Sequence, residues 1–215
     1  MPQFRRPVLS YDDLRTEAAA FLAKYHPSGE IPVPIEYIAE QDFGIDIVTV
    51  PGLQEALRSD DYGVISFITS DLTEIYIDEW VFKYRENRYR FTIAHELAHA
   101  ILHRELYANA QFDSIESWEA FINSIPDEDH SWLEWQAYAF AGLVLVPPEP
   151  LERITRQHLE HVLNGARYHE LPIEKVADTV WDIVMEQVAS EFKVSAEVVE
   201  RRAQKDRLRE KLFRH

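Results

Sequence analysis

His95, Glu96 and His99 form the pattern H-E-x-x-H inside R-F-T-I-A-H-E-L-A-H-A-I-L-H, Arg90 to His103. On a helix, residues four apart lie one above the other, so the two imidazoles share a face and the carboxylate sits beside them. Two neutral imidazole nitrogens can hold a zinc ion, which lowers the pKa of a coordinated water to about 7. Glu96 is then placed to take that water's proton, and the chemistry implied is hydrolysis.

The motif carries this meaning only on a buried helix. Phe91, Ile93, Ala94, Leu97, Ala98, Ile101 and Leu102 recur at spacings of three and four, which predicts such a helix with its polar residues along one line. The plain alternative is a pair of core histidines satisfied by hydrogen bonds. Two imidazoles and a carboxylate on adjacent turns are costly to bury without a cation, which favours the metal.

A catalytic zinc takes three protein ligands and leaves one position to water. The chain contains no cysteine, so the third ligand is a histidine or a carboxylate. Glu105, six residues beyond His99, sits where a longer motif places its third ligand, but that motif turns at a glycine and Leu102 stands there instead. His103 continues the i, i+4, i+8 series, yet two helical turns span about 12 Å from His95, too far for one ion, so His103 reads as a supporting or rim residue. Glu134, just ahead of the apolar stretch of a later helix, can project a carboxylate at the metal from a crossing helix, as in the thermolysin type of zinc peptidase. We read Glu134 as the third ligand and His130, one turn earlier, as its alternative. Mn²⁺ suits the same ligands.

The elements that position these residues follow from periodicity and turn chemistry. Ser10, followed by Asp12 and Asp13, caps a helix that runs to Tyr25, and a short helix is predicted over Ile35 to Gln41. Strands are predicted at Ile45 to Val50, Tyr62 to Thr69 and Glu74 to Asp78, forming a small antiparallel or mixed sheet with Glu74 to Asp78 as its candidate edge. Lys83, Arg85, Arg88 and Arg90 read as solvated charge ahead of the motif helix. A helix over Ser114 to Ile125 precedes the acidic P-D-E-D-H at Pro126 to His130, read as a rim. The next helix starts near Ser131 and ends at Val146-Pro147-Pro148. Helices over Leu151 to Asn164 and Ile173 to Phe192, with Gly165 between them, and a last basic helix from Ala196 to Leu212 complete the chain. The fold class is α+β, with residues 1–150 as the metallopeptidase domain and 151–215 as a helical extension. In that extension V-A-S-E-F-K-V-S-A-E-V-V-E-R-R resembles a helix-turn-helix with Ala189, Phe192, Val194 and Val198 as its core, and the favoured reading is a small helical cap with a solvated basic face.

The 215 residues include 46% apolar and 12% aromatic residues, enough for a core, and carry a formal charge of -16. So acidic a chain argues against direct nucleic-acid binding and favours a basic protein partner. Absence of cysteine, of a signal-like N-terminus and of a membrane-spanning run points to a soluble cytoplasmic protein.

Two segments together, R-F-T-I-A-H-E-L-A-H at Arg90 to His99 and E-W-Q-A-Y-A-F-A-G-L-V-L-V-P at Glu134 to Pro147, resemble the ImmA/IrrE-type metallopeptidases. The resemblance implies His95, His99 and Glu134 as zinc ligands and Glu96 as the base. It also implies a helix-turn-helix repressor as protein substrate, cleaved in stress or prophage regulation. Tyr138 departs from the family pattern, which has Asn four residues after the ligand glutamate, a position from which a polar side chain can orient a zinc-bound imidazole. Tyr138 is alternatively an oxyanion donor. The competing function is a zinc-containing regulator or toxin-antitoxin component that binds its partner without cutting it.

Overall fold

The computed structural model describes residues 8–56, 66–110, 112, 114–168 and 172–213. Its contacts divide the chain into two units: residues 1–29 with 34–144, and residues 30–33 with 145–215.

The first unit opens with α1 (Tyr11–Tyr25), held at its start by a capping box: the Asp13 amide donates to Ser10 Oγ, and the Ser10 amide donates to Asp13 Oδ2 at 2.8 Å. Leu14, Ala18 and Phe21 form its buried stripe, with Phe21 packed on Phe43 and Phe140. A turn of helix, α2 (Ile35–Tyr37), widens into a π turn over Ile38–Asp42. Gly44, at φ 66°, then redirects the chain into β1 (Asp46–Val50), a left-handed conformation that glycine adopts without Cβ strain. The four-residue helix α3 (Leu53–Ala56) follows.

The three-stranded sheet has the order β1-β3-β2, with β2 (Ser66–Ile68) and β3 (Glu74–Asp78). β1 runs parallel to β3, with Asp46 opposite Glu74 and Val50 opposite Asp78, while β2 is antiparallel to β3 with Ser66 opposite Ile77. The sheet is therefore mixed. Glu74–Asp78, expected at the edge, is the central strand, paired on both sides. Side-chain alternation is set by the pleat and is the same in a central strand as at an edge, so it could not reveal the order. Of the strand expected over Tyr62 to Thr69, the described part is Ser66–Ile68; residues 62–65 lie outside the described residues. All three residues of β2 are buried, and Phe67 stacks on Tyr76 and against Trp118.

Asp78 ends β3 and caps α4 (Glu79–Tyr84), accepting from the amides of Trp80 and Val81 through Oδ1 and from Gln54 through Oδ2. One buried carboxylate thus ties α3, β3 and α4 together. α5 (Glu86–Leu102) follows and packs against β2 and β3. Arg90, expected among solvated charges, is 6% exposed on α5, because it falls on the buried face that the helical period assigns to Ile93 and Leu97. Short helices α6 (Arg104–Ala108) and α7 (Ile115–Ser124) lead to α8 (Asp127–Leu145). The acidic segment read as a rim is the first turn of α8. Asp127, Glu128 and Asp129 sit at the positive end of the helix dipole, where carboxylates are stabilising.

In the second unit α9 (Pro148–Tyr168) packs on α10 (Ile173–Phe192). α9 runs through Gly165, which was expected to separate two helices; a single glycine costs about 1 kcal/mol in a helix and does not stop one. Lys193, left-handed at φ 52°, turns the chain into α11 (Ala196–Lys205), and Ala189, Phe192, Val194 and Val198 are buried. The helix expected over Ala196 to Leu212 is broken: α11 stops at Asp206, whose carboxylate pairs with buried Arg202, and left-handed Arg207 starts α12 (Leu208–Leu212).

Replacing Asp78 with Ala leaves three backbone donors without their carboxylate. We expect a stability loss of about 2–3 kcal/mol, read as a lowered urea midpoint with unchanged slope; a shift under about 0.5 kcal/mol would remove Asp78 from the fold's supports.

Candidate metal centre

α5 turns one line of polar residues, His95, Glu96, His99 and, just past its last turn, His103, toward α8 and β2. His99, Glu96 and His103 are 4%, 5% and 2% exposed. The helix is otherwise apolar on its buried side, with Ile93, Ala94, Leu97 and Ala98 in the core. Spacing of four residues stacks the imidazoles, with ring centroids 4.8 Å apart for His95 and His99 and 5.0 Å for His99 and His103.

α8 supplies Glu134. Its Oε2 lies 3.1 Å from His95 Nε2 and its Oε1 lies 3.3 Å from His99 Nε2, while the two Nε2 atoms are 3.1 Å apart. Donors bound to one tetrahedral zinc at its usual bond lengths stand roughly 3.3 Å from one another. The three separations match the edges of such a site, so this donor set fits a single divalent cation. One ligand atom from each of His95, His99 and Glu134 lies within 4.8 Å of the others. Glu134 keeps 42% of its side-chain surface exposed and His95 keeps 18%. A structural zinc site is closed by four protein ligands; this one offers three and opens to solvent, as a catalytic site does.

The charges of these groups act on one another. Desolvation alone would raise the Glu134 carboxyl, but the facing His95 and His99 hold it well below the usual carboxylate range. Desolvation pulls His95 down, and Glu134 and Glu96 more than offset this, leaving it raised. His103 is the opposite case: burial, then the neighbouring His99, push it down to about 3, so it stays neutral.

Glu96 is held from the sheet. Ser66, on β2, donates its hydroxyl to Glu96 Oε1 at 2.6 Å in a buried bond. Glu96 Oε2 has no hydrogen-bond partner among the described residues. Tyr107 packs its ring against His99, with centroids 5.6 Å apart, and its phenol is raised well above its ordinary pKa by burial and by Glu96 and Glu134. It therefore stays protonated.

The other candidates fall into place around this set. His130 Nε2 stands 3.7 Å from Glu134 Oε1, one turn away on α8, at the exposed margin. Glu105 is exposed on α6 and outside the cluster. His103 Nδ1 is 3.0 Å from His99 Nδ1, and its Nε2 is 3.0 Å from Gln136 Oε1. Tyr138 packs on Phe91, one turn before His95, with centroids 4.7 Å apart. Ser66, Tyr107 and Gln136 were not singled out from the sequence. Gln136, two positions after Glu134, carried the one usable signal: a polar residue on the buried side of a nearly apolar helix.

Comparison with known proteins agrees with the geometry. No curated protein matches the chain significantly. A solved structure of a Mycobacterium tuberculosis transcriptional regulator superposes with a TM-score of 0.53 at 16% identity, over 90% of this chain and 46% of that one. That likeness establishes a shared fold; this chain spans under half of the regulator. The IrrE N-terminal-like domain, a peptidase family, matches residues 40–204, which contain β1 to β3, the H-E-x-x-H helix, Glu134 and most of the second unit. The chain belongs to this family.

Proposed function

We propose that the protein is a zinc-dependent endopeptidase whose substrate is a helix-turn-helix repressor, cleaved in the cytoplasm in stress or prophage regulation. The observation that carries the peptidase half is the open His95, His99 and Glu134 set with a carboxylate base fixed beside it. A site that only held the fold together would need the imidazoles but no base.

His95, His99 and Glu134 would hold the ion, which when bound supplies a Lewis acid that acidifies water and polarises the scissile carbonyl. Glu96, with Oε1 occupied by the Ser66 hydroxyl, takes a proton from the attacking water at Oε2. The water oxygen forms a bond to the carbonyl carbon, the C–N bond breaks, and Glu96 returns the proton to the leaving amine. Ser66 keeps the carboxylate from rotating away while it carries that proton.

The substrate class rests on the resemblance of the two motif segments and on charge. At a net -16 the chain attracts a basic DNA-binding protein, and among the described residues no helix is long and apolar enough to cross a membrane. The structural likeness to a transcriptional regulator is in keeping with a regulatory setting.

Purified protein should bind one equivalent of zinc, and Glu134→Ala should lose it while keeping its helical circular dichroism; retention of full affinity by the variant would remove Glu134 from the ligand set. With zinc, the wild type should cleave a helix-turn-helix repressor encoded beside it, and Glu96→Gln should bind zinc equally yet not cleave. Absence of cleavage by loaded wild type that still binds the repressor would establish the non-cutting regulator instead. Ser66→Ala should keep the metal and KM while lowering kcat about 10-fold, with Ser66→Thr restoring part of it; an unchanged kcat would reduce the Ser66 bond to a structural contact.

A further inference from the structure

His103 ends α5 as its C-terminal cap residue and is 2% exposed, with no carboxylate bonded to it. A neutral imidazole carries one N–H and one lone pair. The atom facing His103 Nε2 is Gln136 Oε1, at 3.0 Å, a carbonyl oxygen that can only accept, so the His103 proton is on Nε2. His103 Nδ1 is then a lone pair, and it faces His99 Nδ1 at 3.0 Å. Two lone pairs pointed at each other in a buried place repel, so His99 Nδ1 carries a proton and donates it. The lone pair of His99 is left on Nε2, the nitrogen 3.1 Å from His95 Nε2 and 3.3 Å from Glu134 Oε1.

We propose that Gln136 and His103 are positioning residues that lock His99 in its Nδ1–H tautomer, so that Nε2 presents its lone pair to the divalent cation. The proposal rests on His95, His99 and Glu134 being the metal ligands. It also accounts for a third histidine in a series whose ends one ion cannot span. The column has two self-consistent proton arrangements. With the Gln136 amide reversed, its NH₂ donates to His103 Nε2, His103 donates from Nδ1, and the His99 proton is driven to Nε2, where it blocks coordination. Gln136 is 0% exposed, so no water competes for its amide, and the end that faces His103, Oε1, selects the arrangement.

The test uses the full chain and two substitutions. Gln136→Met keeps the length of the side chain and removes the acceptor, whereas Gln136→Glu keeps an acceptor and removes the donor. Zinc affinity is measured by competition with a chromophoric chelator. The protonated ring nitrogen of His99 is identified by ¹⁵N NMR on metal-free protein. Wild type and Gln136→Glu should show His99 protonated at Nδ1 and bind zinc alike; Gln136→Met should show both tautomers and bind about 10–100-fold more weakly. A wild-type His99 protonated at Nε2 and not at Nδ1 overturns the proposal and needs no variant. So does a Gln136→Met protein with a single Nδ1–H tautomer and undiminished affinity. Should the wild type bind no zinc, the metal assignment fails separately, and the nitrogen spectra of wild type and Gln136→Met still decide the column.

Discussion

Three imidazoles stacked along one buried helix cannot be left to themselves. Each has two nitrogens, water reaches few of them, and an unmatched polar atom in such a place costs about 1–3 kcal/mol. Beyond the contacts the imidazoles make with one another, their partners come from other elements: Glu134 and Gln136 from α8, and Ser66, for the carboxylate between the imidazoles, from β2. Placing these partners ties α5, α8 and the sheet into one arrangement. Hydrophobic burial pulls the elements together without direction; the polar column specifies which residues must meet. Buried polar networks of this kind rigidify when fully satisfied.

The same constraint explains the otherwise small sheet. Among the described residues β2 spans Ser66–Ile68 and pairs with β3 alone, yet these residues are all buried and Ser66 carries the hydroxyl that grips Glu96. β3 is central, and at its end Asp78 caps the helix before α5. The strand that positions Glu96 and the helix that carries it are therefore built off one short ladder. An error in register by one residue would turn Ser66 to the other face and put Phe67 where the hydroxyl must be.

How much of this was legible in the chain follows from what each signal depends on. The 3.6-residue period and the capping serine depend on neighbours in sequence, so α1, α5 and the H-E-x-x-H face could be read directly. Glu134 could be chosen because it stands just ahead of an apolar stretch and because its segment resembles a known motif. The edge assignment of β3 failed because strand order is a property of pairing between distant segments, which alternation does not encode. Gly165 and the Ala196 to Leu212 stretch failed in opposite directions: one punctuating residue was overruled by α9's packing on α10, and one unpunctuated stretch was broken by a left-handed arginine behind an Arg202–Asp206 pair. Ser66 was invisible because a serine in a strand reads as ordinary; only its neighbour 30 residues later makes it a clamp.

Tyr138 raised the sharpest question from sequence, since the family pattern has Asn there and an amide could orient a ligand imidazole. The Tyr138 ring packs on Phe91. The orienting task for His99 is met elsewhere, because its Nδ1 is already engaged by His103, which is in turn engaged by Gln136. A metal-binding imidazole needs its second nitrogen bonded to fix ring and tautomer, and the chemistry is indifferent to which residue does this. An aromatic residue at 138 therefore leaves the His99 Nδ1 contact with His103 in place. An Asn at 138 would share that requirement only where its amide reached the His99 ring, and a double-mutant cycle between positions 138 and 136 measures whether the two are coupled.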